Sequence, residues 1–188
     1  MSIGDILDKM AILDIKTKMI TDNEKKVYID REFKLYEEYF KHRDDILYKM
    51  LFYINKKIWY LTDEIRLLKY TDEKFSKIAN DIFLSNDSRF RIKNKINLEY
   101  ESAIREQKNM DKKIIKILIG DSQSLDDNIL FLCYLFFDYD VVIVYLNDDD
   151  YICYKDNKYI FDIRQNIHDT ECADLLHMKE IFFYDINI

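Results

Sequence analysis

Met110-Asp111-Lys112-Lys113-Ile114-Ile115-Lys116-Ile117-Leu118-Ile119-Gly120-Asp121 is where the chain changes character. Residues 1–112 carry 23 Lys/Arg and 21 Asp/Glu, a balance of +2, in long charged runs with helical spacing. Residues 113–188 carry 6 and 15, a balance of −9, which brings the 188-residue chain to its net −7. This later part is written in short β-branched and aromatic runs separated by Asp/Asn turns. Lys113–Ile119 reads as a fully buried strand, closed by the break at Gly120-Asp121-Ser122. The expected fold class is therefore α+β: an N-terminal antiparallel helical bundle over residues 1–110, then a small mixed α/β unit over 111–188.

Upstream of the break the helices can be placed one by one. Ser2 is positioned to cap a helix from Ile3, with Asp5 answering from the third position. Ile3, Ile6, Leu7, Met10 and Leu13 make one apolar stripe, and Ile12, Ile15 and Met19 a second, so this helix should pack on two sides. Asp5→Lys9 and Asp14→Lys18 are i,i+4 pairs in the favourable order. Further helices are expected over Asn23–His42 and over Asp44–Lys69, the latter with Leu47, Met50, Leu51, Ile54, Ile58, Leu61, Ile65 and Leu68 inward. Thr71 should cap a short helix holding Phe75, Ile78, Ala79 and Ile82. Asn86 or Asp87 should open the last one, Ser88–Lys108, with Ile92, Ile96 and Ala103 inward.

Downstream, Ser124 or Asp126 is placed to cap a helix to about Phe137, and Val141–Leu146 is a second buried strand. Strand–helix–strand with both strands apolar implies a right-handed parallel crossover. A hairpin over Tyr151–Tyr154 and Tyr159–Ile163, a short helix from Asp169 or Thr170 to Met178, and a strand at Ile181–Tyr184 complete the expectation.

Composition removes several function classes. A net −7 argues against nucleic-acid binding, which needs dense positive charge facing phosphates. The most apolar stretch, Ile129–Phe137, falls far short of the about 20 residues that span a bilayer. Ile3–Leu13 is interrupted by Asp5, Asp8 and Lys9 and does not read as a signal peptide. Cys133, Cys153 and Cys172 lack CxxC spacing and read as free thiols in a reducing compartment. A cytoplasmic protein is expected. No proline, two glycines and abundant Ile, Lys, Asn, Asp and Tyr point to an AT-rich genome, of a virus or an intracellular microbe.

Two polar faces stand out in the helical part. Asn55, Trp59, Thr62 and Arg66 recur within an arc of ~60° beside an apolar stripe. An indole flanked by an amide, a hydroxyl and a guanidinium suits a ring or sugar with polar edges; a Trp at the edge of the core, with Arg66 paired to an acid, explains the pattern equally. Asn86-Asp87-Ser88-Arg89 is followed by Lys93 and Asn97 at i+4 steps. If a helix starts here, Arg89, Arg91 and Lys93 sit near free N–H groups, an arrangement that holds phosphates. Internal salt bridges to Asp63, Glu64 or Asp81 are the alternative.

In the C-terminal part, Gly120, Asp121 and Ser122 and the acidic turn Asn147-Asp148-Asp149-Asp150 lie at strand ends, where open α/β sheets bind ligands and where Mg²⁺ could be held. His168, Cys172 and His177 do not share one helical face, so no zinc site is expected. No GxGxxG, P-loop, Ser–His–Asp or Cys–His arrangement is present. No cofactor or metal is expected, and no catalytic residue can be named.

Three blocks of the first 108 residues resemble a family of small uncharacterised helical proteins. That family is found alone or attached to glycosyltransferases in bacteria, phages and large DNA viruses. The first block is Ile3-Gly4-Asp5-Ile6-Leu7-Asp8-Lys9, continuing through Ile12-Leu13-Asp14-Ile15-Lys16. The second is Asn55, Ile58-Trp59, Asp63 and Ile65-Arg66. The third is Asn86, Asp87, Arg89, Ile92, Lys93, Ile96 and Asn97. Thr62 stands where the family tends to have an acid, and Glu101 where it often has Gly before Ser102.

The resemblance implies a link to glycan or nucleotide-sugar metabolism and supplies no reaction. The leading expectation is an accessory or binding protein that takes a nucleotide sugar or sugar phosphate on Asn55, Trp59, Arg66, Asn86, Arg89, Lys93 and Asn97, or docks on a glycosyltransferase. The competitors are a small Mg-dependent sugar- or phosphate-modifying enzyme using Asp121 or Asp148–Asp150, and a purely structural interaction module.

Overall fold

The computed structural model describes residues 1–104, 106–108, 113–118, 125–146, 161–165 and 176–177. It divides into two compact units, residues 1–108 and 109–188. The first is helical: α1 (Ile3–Met19), α2 (Asn23–Lys34), a 3₁₀ segment (Glu37–Asp44), α3 (Ile46–Ile65) and α4 (Glu73–Glu99).

Helix α1 packs against α2, α3 and α4 and is the hub of the unit. The capping box expected from Ser2 and Asp5 is formed. Leu7, Met10 and Leu13 of the first stripe are buried with Ala11 beside them, whereas of the second stripe Ile15 is buried, Ile12 half-buried and Met19 exposed. The link 20–22 turns the chain back, and Asp22 caps α2 by accepting from the N–H groups of Glu24 and Lys25. An ion pair between Lys9 and Glu32, set almost symmetrically about that link, makes α1 and α2 a helical hairpin.

Helix α2 stops at Lys34, short of the expected His42. The following 3₁₀ segment packs Phe40 against Phe33, centroids 4.9 Å apart and rings tilted by 41°, and lays the Arg43 guanidinium over both rings. This turn delivers Arg43 to Asp14, 2.8 Å away, which a straight α2 would not.

A larger departure lies in α4, a single helix of 27 residues where a boundary at Asn86-Asp87 is expected. Its turn-favouring side chains are absorbed by bonding backwards. Asn86 Nδ2 donates to the Ile82 carbonyl and Ser88 Oγ to that of Leu84, so neither competes for the backbone of the next turn. Buried Ile78, Ser85, Ile92 and Ile96 then run as one face through the expected break, while buried Phe90 lies on another side of the helix.

The helix ends at Glu99 rather than near Lys108. Glu101 takes φ +49°, Ser102 N–H bonds to the Asn97 carbonyl, and Glu101 N–H bonds to that of Leu98. This is the Schellman arrangement, which places a left-handed residue just past the helix and normally uses glycine there. Glu101 thus occupies a glycine position, and Ala103 falls outside the helix it was expected to line.

The second unit contains β1 (Ile114–Leu118), α5 (Leu125–Tyr134), a 3₁₀ turn (Leu135–Phe137), β2 (Val141–Leu146), β3 (Asp162–Gln165) and β4 (Leu176–His177). The strand order is β3-β2-β1-β4, with all described pairings parallel. The expected strand–helix–strand crossover is β1–α5–β2. In β2, Val142, Ile143, Val144 and Leu146 are buried, as a central strand requires. The first strand is less continuous than expected: Ile115 and Ile117 are buried while Ile114 is exposed. Phe136 stacks on Phe161 at 5.5 Å, and Asp140 accepts from Lys113 N–H, tying the starts of β1 and β2.

Leu176–His177 pair with Ile117–Leu118 as a strand, where a helix to Met178 is expected; the unpaired edge of β1 is satisfied this way. Only the last residues of the expected hairpin are described, in or next to β3, which runs parallel to β2. The remainder of that hairpin, the Ile181–Tyr184 strand, Gly120, Asp121, Ser122, Asn147, Asp148–Asp150, His168 and Cys172 lie outside the described residues. Cys133 is a free, buried thiol. Among the described residues no helix is long and apolar enough to cross a membrane.

A β-carbon in the left-handed region costs about 1–2 kcal/mol. Glu101→Gly should therefore stabilise the chain by about 0.5–1 kcal/mol, after the extra backbone entropy of glycine is subtracted. Urea unfolding followed by circular dichroism at 222 nm reads the change, and a lower midpoint would contradict the assignment.

Candidate functional site

The three sequence blocks meet where α1 crosses α4. Gly4 lies so close to α4 that a β-carbon there would come within 2.5 Å of the Lys93 carbonyl and 2.9 Å of Asn97 Oδ1. A backbone oxygen cannot swing aside, so this is a glycine of close approach. Asn97, fully buried, accepts from Gly4 N–H at 2.7 Å. Ser102, carried round by the Schellman turn, accepts from Ile3 N–H at 3.1 Å. Asp5 N–H goes to Ser2 Oγ. The first N–H groups of α1 are thus all engaged from within the unit.

One turn along, Asp8 is buried. One carboxylate oxygen accepts from Asn55 Nδ2 and from Arg89 Nε, each at 2.8 Å, and the other accepts from Arg89 Nη2. The guanidinium fork meets the carboxylate with two parallel bonds, the strongest geometry such a pair has. Asn55 also donates to the Leu51 carbonyl. Hydrogen bonding to Asp8 holds the Arg89 pKa above its ordinary value.

Lys93 reaches Asp5 at 2.7 Å and Glu106 at 2.8 Å, with only 12% of its side chain exposed. Burial pulls its pKa down, but the bonds to Asp5 and Glu106 outweigh this and leave it raised. Burial likewise pushes the Asp5 carboxyl up, and the bonds from Lys93 and Ser2 bring it below the usual carboxylate range.

Of the residues singled out from sequence, Asn55, Arg89, Lys93 and Asn97 come together here. Trp59, half-buried, sits one turn beyond Asn55 on α3. Arg66 is at the far end of α3, largely exposed and paired with Asp63. Asn86 lies in mid-helix with its amide committed to Ile82. The helix start expected at Asn86-Asp87 does not exist, so no free N–H groups accompany Arg89 and Lys93, and the phosphate arrangement built on them is corrected accordingly. The expected alternative partners, Asp63, Glu64 and Asp81, are not those of Arg89; Asp8 is. The i,i+4 pairs are also replaced: Asp5 takes Lys93, Lys9 takes Glu32, Asp14 takes Arg43, and Lys18 lies over Phe52. Buried and long-range partners outcompete exposed neighbours worth a few tenths of a kcal/mol.

Sequence reasoning missed Gly4, Asp8, Glu106 and Ser102 as members of the site. A signal existed for Asp8: Gly4, Leu7, Asp8 and Ala11 share one helical face, so a carboxylate on that stripe demands a cation from another element.

Two further polar clusters brace the unit. Tyr48 donates to Asp14, which also receives Arg43. Tyr100 donates to Asp45, and His42 Nδ1 lies 3.0 Å from Asp45 and 2.9 Å from Tyr100. Burial and the carboxylate partner raise the pKa of both phenols, which stay protonated. Among the described residues no group of His, Cys, Asp and Glu is arranged to hold a metal ion.

No protein-family model matches this chain, and neither curated proteins nor solved structures gave a match.

Removing one partner of a buried pair strands the other. Asp8→Ala should cost about 3 kcal/mol, and adding Arg89→Met should recover at least about 1 kcal/mol of it. A urea double-mutant cycle checks this; additive effects would deny the coupling.

The Asp5–Lys93 pair also sets a pH window. The depressed Asp5 value gives stability present above the unfolded carboxylate value of about 3.9 and lost as pH falls through the folded one. The raised Lys93 value gives stability present below about 10.4 and lost as pH rises through the folded one. The stability gap between the natural chain and Lys93→Met should be flat from about pH 5 to 9 and shrink on either side. Thermal melts across pH test this.

Proposed function

We propose that the chain is a non-catalytic accessory protein of glycan or nucleotide-sugar metabolism, and that its helical unit acts by docking on a protein partner such as a glycosyltransferase. The link to glycan chemistry comes from the resemblance of the three blocks. The preference for docking over gripping a free phosphate comes from one observation: each cation at the α1–α4 crossing is already matched from within. Arg89 is held by Asp8, and Lys93 by Asp5 and Glu106. Two cations face three carboxylates, so an added phosphate dianion would enter a field of surplus negative charge. Asn55, Arg89, Lys93 and Asn97 then act as the frame that holds the unit in one shape, and its outer surface does the work.

The enzyme alternative draws on Asp121 and Asp148–Asp150, which lie outside the described residues, and no geometry supports it.

Calorimetric titration of the full chain with nucleotide sugars and sugar phosphates, with and without Mg²⁺, should give no binding tighter than about 1 mM, a level worth only about 4 kcal/mol. A glycosyltransferase of the same genome should bind the chain in sedimentation experiments. Tight binding or turnover of a nucleotide sugar would overturn the reading.

A further inference from the structure

After the Schellman turn the chain does not leave the helical unit at once. Ser102 bonds to Ile3 at the level of Asn97, Glu106 pairs with Lys93, and Lys108 pairs with Asp87 while its ammonium sits 4.7 Å from the Phe90 ring centroid. As the segment advances from 102 to 108, its partners step back along α4 from Asn97 to Asp87. Ser102, Glu106 and Lys108 thus make their contacts progressively farther back along α4. Among the described residues no backbone hydrogen bond ties 103–108 to any helix. Among the described residues, side chains fasten it: a carboxylate on Lys93, and an ammonium on Asp87 and Phe90.

We infer that Glu106 and Lys108 belong to a releasable clasp that occupies, in cis, a face of α4 suited to an extended peptide segment of a partner protein carrying an acidic residue two positions before a basic one. The clasp itself displays the chemistry that face accepts. Lys93 and Asp87 give it a positive end and a negative end, with Phe90 between them as an apolar and cation-accepting floor. A carboxylate arriving from a partner replaces that of Glu106 charge for charge, so the exchange leaves the electrostatics of Asp5, Asp8, Arg89 and Lys93 unchanged. A phosphate dianion makes no such like-for-like exchange. This inference rests on the docking reading and specifies the surface and the partner's chemistry.

The test uses the full chain and its Glu106→Gln/Lys108→Gln variant, which loosens the clasp and leaves Asp87, Phe90 and Lys93 intact. The probe is a fluorescent peptide of residues 101–109 supplied in trans and followed by anisotropy. The variant should bind it about 10-fold more tightly than the natural chain, the factor expected from losing an internal competitor fastened by two ion pairs. The same peptide with Glu106→Gln should bind more weakly, and trypsin should cut after Arg105 faster in the variant. Equal binding by both chains, or indifference to the peptide's carboxylate, overturns the inference. So does a glycosyltransferase that binds the chain while the peptide does not, although docking itself would then stand. Should the variant fold poorly, the natural chain suffices. Raising NaCl to about 1 M shortens the screening length to about 3 Å and should accelerate the cut after Arg105 relative to a free peptide substrate. An unchanged relative rate overturns the clasp.

Discussion

A single carboxylate on the buried stripe of α1 governs the helical unit. Asp8 projects between Leu7 and Ala11 into the packing zone, where a bare charge would be very costly. It becomes tolerable only if a cation and a further donor are brought to it from other helices. Arg89 of α4 and Asn55 of α3 do this together, so one side chain fixes how three helices sit against one another. Apolar packing alone permits several neighbouring arrangements of three helices. A bidentate carboxylate–guanidinium pair with an amide on the same oxygen permits one.

The second consequence follows along the same crossing. Arg89 reaches Asp8 only if α1 and α4 approach closely, and that approach leaves no room for a side chain at position 4. Close approach also hides the first turn of α1 from water, so its N–H groups need internal acceptors. Asn97 and Ser102 provide them, and Ser102 arrives only because the chain reverses at Glu101. Gly4, Asp8, Asn97 and the reversal after α4 are therefore linked parts of one solution.

Much of this frame could be read from residues alone, for identifiable reasons. The Ser2–Asp5 cap, the two stripes of α1, the stripe of α3 and the β1–α5–β2 crossover depend on local pattern and burial, which a sequence displays. Helix ends were less legible. Asn86-Asp87-Ser88 looks like a start because those residue types favour caps, yet Asn86 and Ser88 are absorbed by bonds to Ile82 and Leu84. The end at Glu99 was hidden because glutamate stands at the reversal where glycine would announce it. In the candidate site, Asn55, Arg89, Lys93 and Asn97 were visible as polar residues at helical spacing. Their partners were not, because pairing across 81 or 93 positions in sequence is a tertiary fact.

The internal matching of charge narrows what the unit can do. A site that must bind an anion keeps a cation in reserve, and here the burial that would strengthen Arg89 and Lys93 is spent on Asp8, Asp5 and Glu106. These three acids are not equivalent. Asp5 and Asp8 sit on α1 and cannot leave without unmaking the helix crossing. Glu106 sits past the end of α4, on a segment that among the described residues makes no backbone bond to the helices. Of the two carboxylates paired with Lys93 among the described residues, the one from Glu106 thus comes from outside the helices and the one from Asp5 from within α1. On the docking reading proposed above, a fixed Asp8 and an exchangeable Glu106 would let the frame keep its shape whichever segment lies on α4.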